Sequence, residues 1–131
     1  MGKEPRRIEI SLLGQPPVKQ PGPYEKEKNK KRRVRLQQQA LIVTRETGWP
    51  VDLFDKNMRL TIWYNRCKGG SDSANIIGGI ADALQGSCYH NDSQLVEVHY
   101  SQEGKSRKKY KSDRYAVIVE PVAILPKAPR K

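Results

Sequence analysis

Sixteen of the twenty-five Lys and Arg residues of this chain lie in three short segments, 24–35, 105–114 and 127–131. Whatever core the chain forms must therefore come from the near-neutral stretches between them, because a run such as YEKEKNKKRRVR cannot be stripped of water without pairing its charges. Fourteen acidic residues leave a formal net charge of +11 on 131 residues. A small domain so charged repels itself and is suited to meeting a polyanion. A single basic run is as readily a solvated loop as a binding surface. Three such runs on one small domain read as an electrostatic footprint for nucleic acid. The candidate cations are Lys30, Lys31, Arg32, Arg33 and Arg35 in the first run, and Lys105, Arg107, Lys108, Lys109 and Lys111 in the second. Tyr24, Tyr110 and Tyr115 lie beside the runs, and either stack on bases or cover the core.

The same composition removes several classes. No apolar run approaches the roughly 18 residues that a membrane span needs. The apolar stretch near the N-terminus is too short and broken for a secretory signal. Two cysteines, Cys67 and Cys88, are too few for a disulfide scaffold. The expectation is a single soluble, cytoplasmic domain that binds a polyanion.

Apolar periodicity supplies the elements. Ile8, Ile10 and Leu12 alternate with Glu9 and Ser11, a first strand that Pro16-Pro17 stops. The Pro- and Lys-rich stretch 15–33 opens as a long aperiodic loop, with Pro16, Pro17, Pro21 and Pro23, reaching Asn29. A helix is expected over 31–47, with Val34, Gln38 and Leu41 on one face and Leu36, Ala40 and Val43 beside it. Gly48 and Pro50 end that helix. Leu60, Ile62 and Tyr64 alternate with Thr61 and Trp63 in a strand over 58–67. A second helix over 73–84 carries the stripe Ile76, Ile80, Ala83 and Leu84, with Ser71 or Ser73 placed to cap it. Strands over 95–100 and 115–122 follow, then a basic tail over 124–131. Strand, helix, strand, helix, strand, strand argues for an α+β domain: a small mixed or antiparallel sheet with two helices packed on it.

The chemistry lies in the near-neutral segment GGSDSANIIGGIADALQGSCYHNDSQLVE. Asp72 falls on the turn into the second helix, Asp82 near its end and Asp92 in the loop before the third strand. Asn75 and Asp82 are two helical turns apart, about 10 Å, on one face. Gly78 and Gly79 lie between them and together cost about 2 kcal/mol relative to alanine, which calls for close approach of another backbone, a partner or a ligand. Oxygen donors on strand ends and loops suit a hard cation such as Mg²⁺, with Mn²⁺ as a substitute. In a basic protein, such a cation can activate water against a phosphodiester. The plainer alternative makes Asp72 a helix cap, Asp82 a surface acid and Asp92 a turn residue. Cys67, Cys88, His90 and His99 lack the paired spacing of a zinc site.

The stretch from Asp72 to Glu97 resembles the RusA family of Holliday junction resolvases. The residues that carry the resemblance are Asp72, Asn75, Asp82-Ala83-Leu84, Asn91-Asp92 and Gln94-Leu95, with the opening strand and Pro16-Pro17 ahead of them. The resemblance implies an α+β homodimer that cuts four-way DNA junctions. A symmetric junction needs paired incisions, which two-fold symmetry supplies. It also implies Mg²⁺ on Asp72 and Asp92, with Asn75, Asn91 and Asp82 in support. Ala74 and Gly78 stand where the family pattern has an aspartate and a lysine. The alternatives are a junction-binding protein of the same fold that does not cut, and a basic RNA-associated protein whose acidic residues are structural.

Overall fold

The structure is a computed structural model and describes residues 7–49, 56–66, 71–104 and 113–122. Its elements run β1 (Ile8–Leu13), α1 (Lys26–Thr47), β2 (Met58–Arg66), α2 (Ser73–Leu84), β3 (Leu95–Gly104) and β4 (Arg114–Pro121). The strands form one mixed sheet in the order β1-β4-β2-β3. β4 runs antiparallel to both β1 and β2, and β2 pairs parallel with β3 through the α2 crossover. The α+β architecture expected from the sequence is the one observed. Lys105, Arg107, Lys108, Lys109 and Lys111, with Cys67 and the tail over 124–131, lie outside the described residues.

Alternation becomes layering through the register. Ile8, Val119 and Leu60 stand side by side across β1, β4 and β2, and Ile10, Val117 and Ile62 make the next row. Leu12, Tyr115 and Tyr64 make the third. All but Leu12 are buried, and they meet Leu36 and Ala40 of α1 and Ile76, Ile80, Ala83 and Leu84 of α2. On the other face, Arg59 of β2 bridges Glu97 of β3 (3.3 Å) and Glu120 of β4 (3.2 Å), its partners in register on either side. The Tyr64 hydroxyl donates to the buried Asp113 carboxylate, and burial with that bond pushes the phenol well above the usual tyrosine range.

Four local expectations are corrected. The first helix begins at Lys26 rather than at position 31, so the second half of the expected loop is helical. Its inward face carries Asn29, Leu36 and Ala40, whereas Val34 and Leu41 are 39% and 46% exposed. Positions 29, 36 and 40 are separated by two turns and then one, so they share a face, but one of the three is polar. The cap of α2 is Asp72, whose carboxylate accepts from the Asn75 N–H at 2.8 Å, and neither Ser71 nor Ser73 plays that part. β3 continues to Gly104, four residues past Tyr100, because its polar end stays paired to β2.

Cys88 closes the core beneath the loop after α2, and the Trp49 indole N–H donates to its carbonyl at 3.0 Å. Burial pushes the Cys88 thiol up to about 11 from an ordinary 9. Only the thiolate alkylates. At pH 8 this shift leaves roughly a hundredfold less thiolate than in a free cysteine. Cys88 should therefore take no iodoacetamide label in the native protein over hours and full label in denaturant, as read by peptide mass mapping. Native labelling at the rate of a free thiol would contradict this burial.

Candidate functional site

The site is organised by the segment that follows β1. Gly14 turns the chain with φ +103°, its N–H donating to the Asp113 carbonyl at 2.7 Å. Pro16 and Pro17 are buried, and the chain then lies across both helices as a strap. Two asparagine side chains hold it, each by a pair of bonds to one residue's backbone. Asn29 of α1 accepts from the Val18 N–H (2.8 Å) and donates to the Val18 carbonyl (2.9 Å). Asn75 of α2 accepts from the Gln20 N–H (2.8 Å) and donates to the Gln20 carbonyl (3.0 Å). The Lys19 N–H donates to the Asn75 backbone carbonyl at 3.0 Å.

The glycine pair in α2 is explained by the same strap. A Cβ at position 79 would lie 2.5 Å from Val18 Cα and closer still to the Pro17 carbonyl oxygen, so only glycine admits the strap there. The nearest atoms to a Cβ at 78 all belong to the Lys19 side chain, at 3.1 Å for Cδ and 3.2 Å for Cβ. Of the three offsets expected for these glycines, close approach of another backbone is the one present at Gly79.

Strap, α1 and α2 enclose a groove of about 290 Å³, lined among others by Lys19, Lys26, Lys30, Arg33, Glu27 and Asp82. Lys26, Lys30 and Arg33 share one face of α1 because they are spaced four and then three residues apart. The other cations expected from the first run stand elsewhere. Arg32 pairs with Glu25 at 3.4 Å, Arg35 donates to the Leu13 carbonyl at 2.5 Å, and Lys31 lies with Val34 and Gln38 on the outer surface. Lys19 and Asn29 are the residues that sequence reasoning missed, and Lys26 lay within the first basic run without being singled out. Helical spacing would have shown Lys26 beside Lys30 and Arg33 had the helix start been recognised.

The three aspartates divide between the ends of α2. Asp72 is exposed at the N-terminal end, where a carboxylate is favoured by the helix dipole. Arg66, stacked 5.3 Å over the Tyr64 ring, donates to the Ser71 carbonyl at 2.5 Å and fixes the approach to that cap. Asp82 lies ten residues on, about 15 Å along the axis. It is half-buried in the last turn, where the dipole disfavours a carboxylate and α2 supplies no basic residue. Asp92 joins that same end, its N–H donating to the Gln85 side chain at 2.9 Å. Burial first, then the charges of Cys88, Asp92 and Asp82, raise the Tyr89 phenol. Asn91 is occupied as a cap, accepting from the Ser93 N–H at 2.9 Å, and Asn75 is occupied by the strap.

No group of three His, Cys, Asp or Glu side chains gathers to hold a metal among the described residues. Asp82 and Asp92 are two hard oxygen donors at one end of α2, and no described residue donates a hydrogen bond to either carboxylate. That fits Mg²⁺, which takes one or two protein carboxylates and completes its shell with water and phosphate oxygens. It does not fit a closed zinc cage.

No curated protein matches the chain. The family model described as Endodeoxyribonuclease RusA matches residues 7–120. That span holds both helices, all but the last residue of the sheet, the strap, the groove and all three aspartates. With nearly the whole fold inside the match, the chain belongs to the RusA family of endodeoxyribonucleases.

Proposed function

We propose that this protein is a Mg²⁺-dependent endodeoxyribonuclease that cuts branched DNA such as four-way junctions, and that it works as a homodimer. Membership of the RusA family carries the nuclease class and implies Holliday junction resolvase activity. The observation that carries the rest is the groove: four cations from strap and α1 lead to Asp82 and the carboxylate end of α2. Cations hold the phosphates of a strand, and carboxylates at the end of that track hold the metal against one of them. A bound divalent cation supplies a polarised phosphoryl oxygen and a water that loses its proton more readily.

Asp72 and Asp92 are the ligands that the family resemblance names, yet one chain holds them at opposite ends of a 12-residue helix. Such a helix is about 18 Å long. An ion shared by both aspartates therefore takes two copies of the chain, one offering each end of α2, with Asp82 in support through water. Paired sites in a two-fold dimer also match the paired incisions that a symmetric junction requires.

The purified protein should nick a synthetic four-way junction in Mg²⁺ or Mn²⁺ and stop when EDTA is added, while a linear duplex of the same sequence stays intact. Ala74, exposed in the first turn of α2, leaves Asp72 without a neighbouring carboxylate there and favours one other reading, a junction-binding protein that does not cut. Tight junction binding with no cleavage across a range of Mg²⁺ and Mn²⁺ would establish that reading instead.

A further inference from the structure

Lys19 is held more firmly than an exposed loop lysine has reason to be. The residues on either side of it are each gripped by two hydrogen bonds, from asparagines on two different helices, and its own N–H is bonded to α2. A strap needed only to cover the core could be held by its prolines and Val18. The clamps instead fix the backbone at position 19, and the lysine stem lies along α2 over Gly78. A fixed stem loses less freedom when the ammonium is bound.

The stem leads into the groove that Lys26, Lys30 and Arg33 line, where the acids among the lining residues are Glu27 and Asp82. Four cations against two carboxylates leave an excess of positive charge in a concave site. Along α1 the three cations span about 10 Å. One strand of B-form DNA places a phosphate every 3.4 Å or so along its axis, so the row covers roughly three nucleotide steps.

We infer that this groove takes the sugar–phosphate backbone of a DNA strand, and that Lys19, positioned by the Asn29 and Asn75 clamps, contacts a phosphate from the α2 side while Lys30 and Arg33 contact it from the α1 side. The inference rests on the proposed action on DNA. Lys19 binds as a point charge, so its contribution is independent of base sequence and sensitive to salt.

The test is equilibrium binding to a synthetic four-way junction over a salt series. Lys19→Met should weaken binding about tenfold at low salt and flatten the salt slope by about 0.9, one phosphate's worth. Lys19→Arg should keep the wild-type slope. Arg45→Ala, at the far end of α1, should change neither quantity. The pair Lys19→Ala/Gly78→Lys should restore the slope, because the first change removes Lys19 Cγ and Cδ from the space over position 78 and leaves only Cβ, at 3.2 Å, to give slightly. In an Asn75→Ala background, adding Lys19→Met should cost less than it does alone, since the clamp that places the lysine is gone. A wild-type slope for Lys19→Met, in protein that binds the junction, overturns this inference and leaves the proposed function standing. So does failure of the Lys19→Ala/Gly78→Lys pair to restore the slope in protein with wild-type circular dichroism and melting. Absence of binding by the wild-type protein overturns both.

Discussion

Asp72→Asn and Asp92→Asn are each expected to lower junction cleavage roughly a thousandfold, and an equimolar mixture of the two is expected to recover nicking. The loss follows from removing a carboxylate from the metal, which is asked to supply several kcal/mol of transition-state stabilisation at about 1.4 kcal/mol per decade. Neither change should unfold the protein. Asparagine caps a helix as well as aspartate does, so α2 keeps its start. The bond that Asp92 makes to Gln85 uses the backbone N–H, which the change leaves alone. Binding should hold or tighten slightly, because a negative charge facing phosphate is lost. Recovery in the mixture follows from the separation of the two ends of α2. If one ion takes Asp72 from one copy and Asp92 from the other, a mixed dimer carries both mutations at one site and neither at the other, and so cuts one strand. If the site belongs to a single chain, every site in the mixture is defective. The contrary pattern is therefore definite. Full cleavage by Asp72→Asn, with Asp82→Asn and Asp92→Asn each inactive and an equimolar mixture of those two also inactive, would place the metal on Asp82 and Asp92 of one chain.

Adjacent glycines should respond with opposite signs. Gly79→Ala puts a methyl group into the Pro17–Val18 backbone, which cannot turn aside as a side chain can. The strap has to lift, at a cost of 1–3 kcal/mol or so for overpacking. Weakening the four clamp bonds costs about 1 kcal/mol for each bond lost. Helix propensity returns about 1 kcal/mol. The net expectation is a loss of about 3 kcal/mol, or about 10 °C in Tm for a domain of this size. Gly78→Ala meets Lys19 Cδ at 3.1 Å and Cβ at 3.2 Å, a tight contact with a side chain rather than a clash with backbone, so the propensity gain is only partly offset and the protein should gain less than about 1 kcal/mol. Calorimetry on the two variants decides the matter. Equal effects of one sign would show that the strap does not lie on α2 as described.

Where burial and apolarity coincide, the sequence is a good guide. Leu60, Ile62 and Tyr64 alternate and are buried, and Ile76, Ile80, Ala83 and Leu84 form the stripe expected of them. The start of α1 was illegible because KEKNKKRR contains no apolar residue to set a period, and its inward contact is Asn29. Amphipathic pattern cannot flag an amide whose role is to hold another segment's backbone. The clamps also join residues 11 and 55 positions apart, beyond any local spacing rule. The placement of the aspartates at the start of α2, near its end and in the loop beyond was legible, and the length of α2 is what separates Asp72 from Asp82 and Asp92 within one chain. The glycine pair did announce a close approach, though not which backbone would make it.

The position of β4 bears on how the protein is made. It follows every other described element in the sequence, yet it is the strand between β1 and β2. Until the ribosome has passed Pro121, β1 has no strand to pair with, and Ile8 waits for Val119. Pairing over so many residues makes folding slow relative to helix formation. Helices can form early on the emerging chain, but the three-strand core rows cannot close until translation has passed β4. A chain released between β3 and the end of β4 keeps its first basic run without the β1-β4-β2 rows that α1 packs on.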